Sequence, residues 1–237
     1  MNGGNFDNYS DDNGGEKKKA IKFENDGKKS LHKIYHETQT RQLCALHTLN
    51  NLFQDPTAFT KKDLDEIANL LSPNTFLFNP HKSALGNYDI NVILMALQQK
   101  NFEAIWFNKR KDLKLLNLDV IFGFILNIPN SCDLWKNFLT MFTLSKRHWI
   151  AIRQINSIYF NLDSKLKEPT VIGNQKNLLE FFTENLEKNA EVFVIVNRET
   201  ALENSWYKEE IDESKQIFTA DNKKEKSQIT GTEINQI

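Results

Sequence analysis

At 237 residues, 40% apolar and 26% charged, the chain is long enough to bury one domain with a sizeable core and has the make-up of a soluble globular protein. A formal charge of −1 gives no electrostatic basis for nucleic acid or an anionic membrane as the main partner. No apolar run approaches the ~18–20 residues of a membrane span, and the polar N-terminus has no signal-peptide core, so a cytoplasmic protein with free thiols at Cys44 and Cys132 is expected.

Residues 1–30 mix charge with Gly and Asn and show no periodicity, which predicts a disordered tail; 208–237 read the same way. Residues 31–207 are expected to form the folded domain. Leu43, Leu46, Leu49, Asn50 and Phe53 recur at helical spacing. A second helix opens with the capping pattern Thr60-x-x-Asp63 and carries an apolar stripe at Leu64, Ile67, Leu70 and Leu71. Asp89 caps a third helix running to Gln99, with Val92, Ile93, Ala96 and Leu97 inward. Phe102–Phe107 and the apolar run Val120–Ile128 read as strands. His148–Ile155 and Ile158–Asp163 form a hairpin about the Asn156-Ser157 turn. An amphipathic helix over Leu178–Leu186 and a strand over Glu191–Val196 complete the pattern. Helices first and a largely antiparallel sheet afterwards predict an α+β fold.

The segment around Gln39 and Cys44 carries the chemistry. Cys44 stands at a helix start, where unpaired N–H groups favour an anion, and the Gln39 amide can donate to an oxyanion formed at the sulfur. The bland alternatives are a packed cysteine and a solvated glutamine. The base is sought downstream. If Ile155 opposes Ile158, His148 falls nearly opposite Lys165 and a short diagonal step from Asp163. That carboxylate then orients the imidazole, although Asp163-Ser164-Lys165 also reads as a simple turn. His47 is the rival base, one helical turn from Cys44. An i, i+3 partner leaves little room for a carbonyl between nucleophile and base, so His47 reads as a buried polar neighbour. His32-x3-His36 and Cys44-x2-His47, with Cys132, have ligand-like spacing but lack a paired zinc signature; no metal or other cofactor is expected. The aromatics Trp106, Phe107 and Trp149 read first as core packing and second as walls of a substrate channel.

Several strings together resemble the Josephin domain: His36-Glu37-x-Gln39, Leu43-Cys44-Ala45-x-His47-x-Leu49-Asn50-Asn51, Gly86-Asn87-Tyr88-Asp89, Arg147-His148-Trp149 and Tyr159-x-Asn161-Leu162-Asp163-Ser164-Lys165-Leu166. The resemblance extends from about Leu31 to Trp206. It is stronger to the short stand-alone josephins, which carry aspartate at the place of Asp163, than to the ataxin-type branch, which carries asparagine. It implies a papain-like fold and a monomeric ubiquitin-specific cysteine protease, with Cys44 as nucleophile, His148 as base, Asp163 as third member and Gln39 as oxyanion donor. The rivals are a josephin that binds ubiquitin with little turnover and another Cys-His-Asp acyl-transfer enzyme, such as a transglutaminase or arylamine acetyltransferase.

Overall fold

The computed structural model describes residues 34–40, 42–73, 79–84, 86–129 and 147–208. The expected N-terminal tail, the C-terminal one beyond Lys208, His32 and Cys132 lie outside them. The described elements are α1 (Cys44–Phe53), α2 (Lys61–Leu71), α3 (Ile90–Gln99), β1 (Phe102–Trp106), a 3₁₀ turn (Leu113–Leu115), β2 (Gly123–Pro129), β3 (Arg147–Ile155), β4 (Ile158–Asn161), β5 (Thr170–Gly173), α4 (Gln175–Glu187), β6 (Glu191–Asn197) and α5 (Arg198–Glu203). The six strands form one antiparallel sheet in the order β1-β6-β2-β3-β4-β5. The fold is α+β, as the order of periodicities predicts.

Alternation along the central strands sends side chains into two cores. Ile125, Trp149, Ala151, Phe193 and Ile195 pack with the inward residues of α1, α2 and α3. Phe124, Leu126, Ile150, Ile152, Val192 and Val194 pack with Leu178 and Phe182 of α4 and with Trp206. Leu49 and Leu52 of α1 are fully buried, each worth about 1.5–3 kcal/mol relative to exposure. At Gly123 an added Cβ would come within 2.8 Å of Leu52 Cδ1 and 2.9 Å of the Ile152 carbonyl, so glycine lets α1 lie close on β2 and β3.

Local chemistry explains the element ends. Thr60 and Asp63 form the reciprocal capping box, and the Asp89 carboxylate accepts from the N–H groups of Asn91 and Val92. Asn174 and Asn177 form a second box, which starts α4 at Gln175, three residues before the apolar stripe expected from Leu178. Asn156 and Ser157 both have positive φ, the signature of a two-residue hairpin turn that fixes Ile155 opposite Ile158. The partner strand ends earlier than expected, at Asn161. Beyond it the Asn161 side chain accepts from the Asp163 N–H, and the Leu166 N–H returns to the Asp163 carbonyl, turning the chain away. The edge strand β5 and the short helix α5 have no counterpart in the sequence reading. Four residues with Val171 exposed, and six residues capped by Asn197, carry too little periodicity.

Candidate active site

Cys44 is the first residue of α1, a free and buried thiol at the helix end that presents N–H groups. His148 is 2% exposed, and its Nε2 donates to Asp163 Oδ1 at 2.6 Å. Cys44 lies close enough to the imidazole to act on its pKa together with Asp163. With Nε2 given to the carboxylate, Nδ1 is the atom left for the sulfur. Strict alternation would group His148 with Ile150 and Ile152 on the α4 face. At this second position of β3 the ring instead meets Asp163 and Cys44.

Electrostatics follow from this chain of contacts. Burial works against the imidazolium, but the hydrogen bonds and charges of Asp163 and Cys44 outweigh it and hold the His148 pKa above the ordinary histidine value. Burial likewise opposes the Asp163 carboxylate. The His148 bond and the Lys165 N–H, which donates to Oδ1 at 2.8 Å, win and keep its pKa low.

Residues 35–40 run beside α1 and are held mainly by its side chains. Gln54 Oε1 accepts from the Tyr35 N–H and Gln54 Nε2 donates to the Tyr35 carbonyl. Asn51 accepts from the Glu37 N–H at 2.6 Å and donates to the carbonyls of Glu37 and Leu162. The Thr40 N–H donates to His47 Nε2 at 3.2 Å, which leaves His47 Nδ1–H to donate to Glu37 Oε2 at 2.6 Å. The Glu37 carboxylate also accepts from Asn50 Nδ2 and the Tyr35 hydroxyl. Burial opposes its charge, yet these donors hold its pKa below the usual carboxylate range. His47 is therefore the buried neighbour the helical spacing predicts, with both ring nitrogens engaged away from the thiol.

Gln39 rides on this strip, half-buried, and its N–H donates to the Ser164 carbonyl at 2.6 Å. His36 Nε2 lies 3.0 Å from the Asp163 carbonyl. The strip thus touches the loop of the third candidate residue at two consecutive carbonyls. Among the described residues no cluster of three metal-binding side chains occurs, and no helix is long and apolar enough to cross a membrane.

The aromatics divide. Phe107 is buried on the α4 side of the sheet and Trp149 on the α1 side. Trp106, expected to pack in the core, is instead 54% exposed on the edge strand β1, three strands from β3. Sequence reasoning assigned no role to Asn87, whose Oδ1 lies 4.0 Å from Cys44 Sγ. Its segment is clamped to the site. Trp149 Nε1 donates to the Tyr88 carbonyl, and Gly86 has φ +88° with Leu43 where a Cβ would fall. The only prior signal was the Gly86-Asn87-Tyr88-Asp89 string.

A protein-family model described as Josephin matches residues 39–196. The chain is 50% identical over 171 residues to a Josephin-like protein of Drosophila melanogaster, covering 71% of this chain and 76% of the relative. It is 40% identical over 176 residues to human Josephin-2, covering 73% and 91%. Similarity to human ataxin-3 is lower, 29% over 183 residues, covering 70% of this chain and 46% of that protein. From the motif strings at the head of α1 to the hairpin that carries His148, the chain belongs to the Josephin family.

Proposed function

We propose that this protein is a thiol-dependent deubiquitinase that hydrolyses the isopeptide or peptide bond at the C-terminus of ubiquitin. The observation that carries the reading is the single imidazole of His148, hydrogen-bonded to the Asp163 carboxylate and close enough to the Cys44 thiol at a helix N-terminus to interact with it. His148 Nδ1 takes the Cys44 proton, and the sulfur attacks the carbonyl carbon of the terminal glycine. The Gln39 amide and a backbone N–H at the start of α1 bind the resulting oxyanion. Collapse breaks the C–N bond, and the leaving amine takes the proton from His148. Water then loses a proton to His148 and attacks the thioester, freeing the ubiquitin carboxylate and restoring the thiol. No metal or cofactor enters this scheme, and the reactive unit is one chain.

Ubiquitin bearing a C-terminal electrophile tests the assignment. The expected result is one covalent adduct whose tryptic map places it on Cys44. An adduct on Cys132 overturns the choice of nucleophile. No adduct, with ubiquitin still bound, favours the rival of a binding josephin without turnover.

Asp163 gives a second expectation. Because its carboxylate raises the His148 pKa, Asp163→Asn lowers it and the imidazolium is lost at a lower pH. The alkaline limb of kcat/KM against pH moves down, while substantial activity survives near neutrality because the amide still orients the ring. An unmoved alkaline limb would show that Asp163 does not set the charge on His148.

A further inference from the structure

The loop that follows Asp163 does more than end the hairpin. Asp163 to Leu166 closes in a turn through the Leu166 N–H to Asp163 carbonyl bond at 2.9 Å, and the Lys165 N–H is tied to the Asp163 carboxylate. Facing it, Thr38 and Gln39 belong to the strip held by α1. The Gln39 N–H to Ser164 carbonyl bond at 2.6 Å stitches the two walls at their base, where Ser164 is 2% exposed. Between them lies an open cavity of about 430 Å³ lined by Thr38, Gln39, Ser164, Lys165, Leu166 and Lys167. Both walls are fixed to the candidate site by hydrogen bonds, so the groove is a pre-formed extension of it.

Its position gives it a direction. In acyl transfer the amine departs on the side of the imidazole that protonates it, and the oxyanion points to its donors. The groove begins at the proposed oxyanion donor and runs along the chain leaving Asp163, the residue that holds His148. Asn87, whose Oδ1 lies 4.0 Å from the Cys44 sulfur on the segment clamped by Trp149, is not part of the groove lining. A groove that starts at the oxyanion donor and follows the loop of the residue holding His148 is suited to the leaving group.

Its charge gives it a preference. The lining contains two ammonium side chains, those of Lys165 and Lys167, and no carboxylate. Both lysines are exposed at the rim, where they attract acidic groups and repel basic ones. We propose that this groove is the leaving-group subsite of the enzyme and that it selects acidic polypeptide segments around the lysine that carries ubiquitin. The inference rests on the deubiquitinase reading and adds the chemistry of the conjugated partner.

The test uses the full chain and two ubiquitin–peptide conjugates, each isopeptide-linked through a lysine flanked on both sides by aspartates or by lysines. A ubiquitin–aminomethylcoumarin substrate is run beside them. The expected kcat/KM for the aspartate peptide exceeds that for the lysine peptide by about five- to tenfold at low salt, and the ratio shrinks toward one near 0.5 M salt. In Lys165→Glu and Lys167→Glu the ratio falls, and in the double variant it inverts. Because each ratio is taken on one enzyme preparation, a general loss of activity does not mimic the result. Cleavage of the coumarin substrate with equal rates on both peptides overturns the subsite and leaves the deubiquitinase reading standing. Failure to cleave any of the three overturns that reading itself. A ratio unchanged by charge reversal places the selectivity elsewhere and also overturns the subsite.

Discussion

His148→Ala lowers the turnover of ubiquitin–aminomethylcoumarin by about 10³–10⁴-fold, the scale expected when one group that serves as both base and acid is removed. The loss exceeds what proton transfer alone accounts for, because the imidazole also links Cys44 to the Asp163 carboxylate 2.6 Å from its Nε2. Alkylation of Cys44 by iodoacetamide slows as well, since that reaction needs the thiolate and the imidazolium that accompanies it is gone. His47→Ala is the discriminating control. His47 spends both nitrogens on Thr40 and Glu37, so its removal weakens the strip and lowers activity less than His148→Ala does. A larger loss in His47→Ala, with the protein still folded, would transfer the role of base to His47.

The second large effect belongs to Gln39. Removing one oxyanion donor costs about 10²–10³ in kcat, and Gln39→Ala is expected to lose this much. The donor acts on charge that exists only in the transition state, so KM changes little. Iodoacetamide forms no oxyanion, and its rate with Cys44 stays close to that of the unaltered protein. This contrast separates Gln39 from His148, whose removal slows both reactions. Equal losses in the two assays would mean that Gln39 supports the thiol and not the oxyanion.

Much of the framework was legible in the sequence because its determinants are local. A two-residue turn at Asn156-Ser157 fixes the register of Ile155 on Ile158 and carries the chain back toward the His148 end of β3, but the turn after Asn161, not strand pairing, brings Asp163 to the imidazole. Thr60-x-x-Asp63 and Asp89 announce helix starts in the same local way. What escaped is what depends on distant partners. Residues 35–40 show no periodicity because their backbone groups are paired largely with helix side chains rather than with a strand. Asn51 carries no local sign of its role, because Leu162, 111 positions away, supplies part of its bonding. Asn87 lies beside Cys44 only because Gly86 fits against Leu43 and Trp149 reaches the Tyr88 carbonyl. Trp106 misled for the opposite reason. An aromatic in an apolar strand reads as core, but β1 is the sheet edge and nothing among the described residues covers it fully.

The use of α1 as a surrogate strand has a consequence for mutational tolerance. An ordinary edge strand is held through backbone groups on both sides, so either partner can change side chains while the bonds persist. Here one side of each bond is a side chain, at His47, Asn51 or Gln54, and the other is a backbone group of the strip. Substitution is therefore asymmetric. A new residue at exposed Thr40 keeps the N–H that His47 requires, whereas a change at Asn51 leaves buried polar groups of two separate segments without their partner. The path of the segment carrying Gln39 is written in the helix and not in the segment itself.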